Sequence, residues 1–439
     1  MRLSVRLLPF AVTVICVACR DVPQAPNVTP PPERPFQVFI LDHEGQADDG
    51  PGFSTPVILA LGAAGPPIQI LYVDQYRSFF RYGSCVDRCG DSASWRLGTF
   101  SGGGGYQIAP YWGATFATSA GAVHTLYQGW SYNRPRGVVY ASCPGRCEDR
   151  ASWHATVIDS GGAVGWDPAL VARPDGHLYG IHADQPWAAA PADTATMDYV
   201  ECATSCDSAA SWQGGHLWRT PPVTGTALRI DVTGRLHLLY WVGPDPHYAT
   251  CASACADSTQ WTRTTLASGA TQAYSDPRIS WSVAAFDVTS DGHLGLAYWV
   301  GNTLRLLTCA TSCGSAGAWL STSLLTLPPK TGAPWGGGAL ALTADSTGGW
   351  HTAFAWGLGY VGMVTYAACD SACESPISWR ATTVDSGYSG APSVVALGVD
   401  PARRPHLFFG SFYFPFRYAE PSSAFAGKPV DAYFALMRP

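Results

Sequence analysis

The chain is short of charge and almost without lysine. Of its 439 residues, 13% are Asp, Glu, Lys or Arg, and these include only two lysines and six glutamates. An average soluble domain carries about 25% charged residues, and exposed helices draw heavily on Glu, Lys and Arg. Helical bundles, coiled coils and doubly wound helix–sheet folds are argued against on that ground. Basic runs are also missing and the formal charge is −6, which removes the electrostatic footprint of a nucleic-acid partner. What the chain has instead is 47% apolar residues, 17 Trp, 20 Tyr, 17 Phe, 47 Gly and 34 Pro. That is too apolar for disorder. Aromatic residues favour strands, and Gly and Pro favour the turns between them. The expected fold class is all-β, in a chain as long as about three average domains.

Arg2 and Arg6 precede an apolar run that extends from Leu7 to Ala18, the charged and hydrophobic regions of an export signal. The run falls short of the roughly 20 residues that span a bilayer. It ends in Cys16-Val17-Ala18-Cys19, which resembles the bacterial lipobox, with Cys16 where that family usually has Leu. The resemblance implies a signal peptide over residues 1–18 and acylation of Cys19. Several acyl chains anchor stably where one is marginal. Residues 19–36 follow as a tether; six prolines between positions 20 and 36 make it extended and semi-rigid. Arg20 rather than Asp follows the cysteine, which leaves outer-membrane delivery open. The expected location is the bacterial cell envelope, lipid-anchored in the outer membrane, with the body formed by residues 37–439.

The remaining twelve cysteines form six pairs: Cys85 with Cys89, Cys143 with Cys147, Cys202 with Cys206, Cys251 with Cys255, Cys309 with Cys313, and Cys369 with Cys373. In an exported protein these read as six disulfides. A metal at any pair would need two further ligands, and no regular His or Cys supplies them. Each pair belongs to one motif, C-x3-C-x5-W, closed by Trp95, Trp153, Trp212, Trp261, Trp319 or Trp379. Three residues before the first cysteine stands Tyr82, Tyr140, Tyr199, Tyr248, Leu306 or Tyr366. Successive motifs lie 58, 59, 49, 58 and 60 residues apart. Before each motif runs an alternating apolar strand, a Gly- or Asp-bearing turn and a second strand. Each repeat thus reads as four strands, A to D, with the cysteine loop between C and D. Four-stranded units at this period are the signature of a β-propeller. A further A–B–C pattern without cysteines covers Val394–Val399, His406–Phe409 and Phe416–Ala419. Seven blades are therefore expected, with six as the alternative. The fourth strand of the last blade is supplied either by Phe36–Leu41 or by Asp431–Leu436.

This layout resembles the Asp-box and sialidase-like extracellular propellers, whose motif also sits between strands C and D and also ends in Trp. It departs from them at the position three before the tryptophan, which is Ser92, Arg150, Ala209, Ser258, Ala316 or Pro376 and never Gly. The cysteine bridge stands in for the box. The resemblance implies an arginine cluster that clamps a carboxylate and a Tyr–Glu nucleophile pair, but no Glu maps to the face where that pair would lie.

In such a blade the D–A and B–C connections share one face, opposite the cysteine loops. On it fall Trp112, Trp166, Trp281 and Trp335 near the starts of A strands, and Trp130, Trp187, Trp241, Trp299 and Trp356 near the ends of B strands. Aromatic faces stack on sugars and dominate binding hot spots. Arg134, Arg136 and Arg278 accompany them, as do Asp167 and Asp184, and guanidinium groups grip carboxylates bidentately. The ligand-binding candidates are Trp112, Trp166, Trp281, Trp335, Trp130, Arg134, Arg136 and Arg278. His124, His237, His351 and His406 recur at one place in strand B, which marks them as structural, hydrogen-bonded to the neighbouring blade. No catalytic residue is assigned, and no metal or cofactor is expected.

Two functions fit. One is a monomeric envelope lipoprotein whose aromatic face binds a glycan, polymer or protein. The other is a sialidase-like glycoside hydrolase or polysaccharide lyase, for which paired acids are not in evidence. The anchor makes a direct prediction: the wild type should enter the detergent phase on cloud-point extraction and Cys19→Ser the aqueous phase. Aqueous partitioning of both would contradict lipidation.

Overall fold

A computed structural model describes residues 35–42, 58–62, 65–74, 79–100, 107–108, 114–119, 121–130, 136–162, 164–186, 193–266, 284–326, 337–358, 361–388, 394–411 and 414–422. They form seven antiparallel sheets, each a four-stranded blade, one of which carries a short fifth strand. In strand order A–B–C–D, blade 1 is Ile58–Gly62, Gly65–Asp74, Phe79–Cys85 and Arg96–Phe100. Blade 2 is Ala114–Ser119, Ala122–Trp130, Arg136–Cys143 and His154–Gly162, with Gln107–Ile108 paired beyond the end of strand A, against strand B. Blade 3 is Trp166–Ala172, Leu178–Asp184, Ala195–Cys202 and Gln213–Thr220. Blade 4 is Val223–Ile230, Leu236–Val242, Asp245–Cys251 and Thr262–Thr265. Blade 5 is Ala284–Val288, Leu294–Val300, Thr303–Cys309 and Leu320–Thr326. Blade 6 is Gly337–Ala344, Trp350–Leu358, Val361–Cys369 and Arg380–Tyr388.

Blade 7 closes the ring. Its strands A to C are Val394–Val399, Pro405–Ser411 and Phe414–Pro421, and its outer strand is Phe36–Asp42 from the other end of the chain. The register pairs Phe36 with Pro421 and Phe39 with Tyr418. The alternative donor, residues 431–436, lies outside the described residues. Each strand A packs against strand A of both neighbouring blades around a complete circle, so the A strands are innermost. The fold is a seven-bladed β-propeller.

All six expected disulfides form, each inside its own loop. Cys85 is bonded to Cys89, Cys143 to Cys147 and Cys202 to Cys206. Cys251 is bonded to Cys255, Cys309 to Cys313 and Cys369 to Cys373. By the loop-entropy model a bridge this short contributes roughly 2 kcal/mol. The residue before the second cysteine is left-handed in every loop, from φ 50° at Arg88 to 56° at Ser205 and Ser312. A one-turn 3-10 helix then delivers the motif tryptophan. Its indole N–H donates to the carbonyl of Cys89, Cys147, Cys206, Cys255, Cys313 or Cys373 at 2.8–3.0 Å.

That locked indole packs on the preceding blade. Trp95 meets Tyr418, Trp153 meets Tyr82, Trp212 meets Tyr140, Trp261 meets Tyr199 and Trp319 meets Tyr248, with ring centroids 4.9–6.5 Å apart. In blade 5 the tyrosine is Leu306, which shares a buried cluster with Trp379. Blade 7 has no motif tryptophan; there Phe36 meets Tyr366 edge-on at 5.7 Å.

The recurring histidines hold these tyrosines. Nδ1 of His124, His237, His351 and His406 lies 2.5–2.7 Å from the hydroxyl of Tyr140, Tyr248, Tyr366 and Tyr418. The partner is thus in the histidine's own blade. On the other side of the ring, Nε2 meets Ser119 Oγ, Asp231, Asp345 or Asp400 from the A–B turn. Blades 1, 3 and 5 lack the pair: Gln69 and Tyr179 take the histidine's place in the first two, and blade 5 has Gly295, where a Cβ would come within 2.6 Å of the Trp350 ring.

Burial pushes the His124 imidazole down to about 4 and lowers His237, His351 and His406 as well. A histidine with a depressed folded-state value contributes stability above its unfolded value near 6.5 and loses it as pH falls towards the folded value. The unfolding midpoint should therefore drop between pH 6.5 and pH 4. For His124 alone the loss is about 2–3 kcal/mol. Denaturant titrations across this range should show a shallower pH slope in His124→Gln than in the wild type; identical slopes would contradict the buried neutral imidazole.

Candidate functional site

Of the sequence-derived candidates, Trp130, Arg136 and Trp166 lie at the strand ends away from the cysteine loops. Trp112, Trp281, Trp335, Arg134 and Arg278 lie outside the described residues. Trp130 ends strand B of blade 2, opposite Gln107. Trp166 and Arg136 come together: the Arg136 guanidinium sits 5.7 Å from the centroid of the Trp166 ring. Trp166 opens strand A of blade 3 and is buried, with 4% exposure, in the apolar cluster of blades 3 and 4. Arg136 opens strand C of blade 2 and is half-buried. Loss of water lowers the Arg136 guanidinium from its ordinary value. Stacking on the indole face compensates part of that cost.

Trp241, Trp299 and Trp356 are packing residues. They are 7%, 2% and 6% exposed; Trp241 packs on Tyr298, Trp299 packs on Phe354, and the Trp356 indole donates to Thr365.

Between Trp166 and Ala169 the A–B register slips by one residue, a β-bulge of the kind that re-aims side chains. The same slip recurs in blades 4 and 6, between Val223 and Thr226 and between Gly337 and Leu340. In blade 3 the bulge holds Asp167 at φ 41°. A left-handed aspartate before a proline is disfavoured twice, by its Cβ and by the ring that follows. Every other non-glycine left-handed residue described is in a cysteine loop, apart from Arg403, which takes the turn position held by Gly234 in blade 4. Asp167 is therefore the one such residue that no repeated turn explains. Strain of this sort concentrates at functional positions. Part of Asp167 reaches solvent, yet it lies deep in the body, and this desolvation raises its carboxyl to about 7.

Neighbouring blades pin the bulge. Thr226 Oγ1 of blade 4 donates to the Asp167 carbonyl, and the Leu170 N–H donates to Thr115 Oγ1 of blade 2 at 3.2 Å. Buried Gln128 reaches from blade 2 to the Val164 carbonyl at 2.7 Å. Gln185 exchanges two hydrogen bonds with the Val223 backbone at 2.8 and 3.0 Å. The bulge is thus tied to blades 2 and 4, with a half-buried guanidinium over Trp166 and, next in the chain, a carboxyl raised towards neutrality. On sequence grounds Asp167 falls on this face with no role of its own. A signal was present in the repeat, which has Thr224 and Gly338 at the corresponding place in the other two bulges.

No family model matches the chain, and no curated protein does. Solved structures do match. A polysaccharide lyase, an ulvan lyase, is 9% identical over 84% of this chain and 94% of its own, with a TM-score of 0.50. The intramolecular trans-sialidase of Ruminococcus gnavus is 8% identical over 74% of this chain and 96% of its own, with a TM-score of 0.47. The Aleuria aurantia lectin, solved with α-methyl-L-fucoside, is 10% identical over 77% and 97%, with a TM-score of 0.44. At these identities the likeness is one of fold.

Proposed function

We propose that the protein is an envelope lipoprotein whose propeller binds a glycan on the face opposite its cysteine loops. The observation that carries this reading is the group formed by Trp166, Asp167 and Arg136. There a strained, pinned bulge sets an acid next in the chain to the indole on which a guanidinium stacks. Sugar hydroxyls and carboxylates are recognised by such charged groups held on a rigid support. One propeller of like fold is a polysaccharide lyase, which supports polymeric sugar as the ligand class. Anchored through Cys19, the ring would stand off the membrane on its proline-rich tether and meet polymer outside the lipid surface.

A glycan-binding screen followed by calorimetry tests the reading. Arg136→Ala should weaken binding of the selected glycan by about 1–3 kcal/mol if it is a hot spot. Ser92→Ala and Ser258→Ala, both on exposed positions of the cysteine loops, should leave it unchanged. The opposite pattern would put the functional face on the other side of the ring. Trp166→Ala is a poor probe of binding, because a buried indole supports the fold itself.

A second reading, cleavage of the bound polymer, is favoured by one observation: the Asp167 carboxyl stands at about 7, the range of an effective proton donor or acceptor. If Asp167 accepts a proton, cleavage should rise with pH through about 7; if it donates one, cleavage should fall there. That limb of the profile should vanish in Asp167→Asn. A profile flat through neutrality in the wild type would leave binding as the function.

A further inference from the structure

At one register of strand B every blade buries an aromatic ring, except one. Counting four residues on from the residue paired with the first cysteine gives Tyr72, Tyr127, Tyr240, Tyr298 and Phe354 in blades 1, 2, 4, 5 and 6. Phe409 is the equivalent in blade 7, three residues after its tyrosine-bonded histidine, as Phe354 is in blade 6. All six are buried. Blade 3 has His182 in that place. Among the described residues the apolar cluster between blades 2 and 3 is accordingly the smallest of the seven.

His182 has no exposed surface, and neither of its ring nitrogens makes a hydrogen bond. Carboxylates stand on both sides. Asp159, on the outer strand of blade 2, places Oδ2 3.5 Å from Nε2, and Asp184, two residues along strand B, places Oδ1 3.5 Å from Nδ1. One donor atom each from Asp159, His182 and Asp184 lies within 4.8 Å of the others. Asp198 sits opposite His182 on strand C, buried, with Oδ2 unpartnered and Oδ1 against the Nδ1 of His216. Asp159, His182, Asp198 and His216 line a cleft of about 260 Å³ between the blades. Its outer residues, Asp159 and His216, have side-chain exposures of 39% and 83%, so an ion can enter from the rim.

A buried imidazole with two idle nitrogens is costly unless something completes it. Nitrogen and carboxylate oxygen together are the donor set of zinc and its neighbours, whereas calcium and magnesium take oxygen alone. We propose that the cleft between blades 2 and 3 is a divalent transition-metal site of the zinc class, ligated by His182, Asp159 and Asp184. The buried Asp198, paired with His216, adds negative charge next to the ion. Because Asp159 comes from the preceding blade, the ion would tie the two blades together where the other junctions use a ring.

The test uses the untagged full chain, oxidised, in detergent and stripped with a chelator, titrated calorimetrically with Zn²⁺ and separately with Ca²⁺. The wild type should take up Zn²⁺ saturably, one ion per chain, with a rise in Tm, and should not respond to Ca²⁺. Asp159→Asn, at a half-exposed position, should weaken uptake by at least about tenfold. His182→Tyr, which restores the ring used by most other blades, should abolish it while keeping the near-ultraviolet dichroism of a packed protein. Absence of saturable Zn²⁺ uptake by the wild type would overturn the proposal. So would uptake unchanged in both variants, and a preference for Ca²⁺ would overturn the assignment of metal class.

Discussion

The contact on which this ring depends is the one between a motif tryptophan and the tyrosine of the blade before it. Sheets packed face to face around an axis gain little from hydrogen bonding across the blade boundary, because their backbone groups are already paired within each sheet. What remains is side-chain packing, and aromatic pairs supply the largest area per residue together with an edge-to-face preference that fixes angle. The cysteine bridge and the indole hydrogen bond to the second cysteine hold the tryptophan in place. In three of these contacts a strand B histidine does the same for the tyrosine, at Tyr140, Tyr248 and Tyr418. Where both restraints are present, each half of the contact is held by its own blade, which lowers the entropy that packing must overcome. Closure follows the same rule, since Trp95 of blade 1 packs on Tyr418 of blade 7.

Much of this was legible in the sequence because the repeat spells it out. Six motifs at nearly constant spacing give blade size, disulfide pairing and the side on which the loops lie. The need for a donated strand was legible too, since a final A–B–C pattern lacks its fourth, but Phe36–Leu41 and Asp431–Leu436 fitted it equally until the register paired Phe36 with Pro421. The histidines read as structural from their recurrence, although their partner, the tyrosine of the same blade, depends on cross-strand register. Strand-end tryptophans read less clearly. An indole at the end of strand B serves packing and ligand contact equally well on paper, and only the closed ring shows Trp241, Trp299 and Trp356 buried. The least legible features are departures from the repeat. His182 looks like one more histidine until the register aligns it with six aromatic rings, and Asp167 looks like a turn residue until its backbone is seen to be left-handed.

Those departures gather in one sector. Blades 2 to 4 carry the pinned bulge with Asp167 and Arg136, and the junction of blades 2 and 3 carries the His182 cleft. Among the described residues the departures elsewhere concern packing and closure: Leu306 and Gly295 in blade 5 and the donated strand of blade 7. A repeat fold tolerates polar substitution in one blade because the other junctions still hold the ring. Local strain, an acid near neutrality and a buried imidazole whose nitrogens make no hydrogen bond are features that a purely structural ring has no reason to keep.

The most direct test of this account is the stability of the ring when its closing contact is cut. Chemical unfolding of Trp95→Ala, followed by far-ultraviolet circular dichroism, should show a loss of about 3–5 kcal/mol. Ile377→Ala, in a cysteine loop and 93% exposed, should be indistinguishable from the wild type. A Trp95→Ala midpoint as high as that of Ile377→Ala would contradict the claim that paired aromatic rings between blades hold the propeller closed.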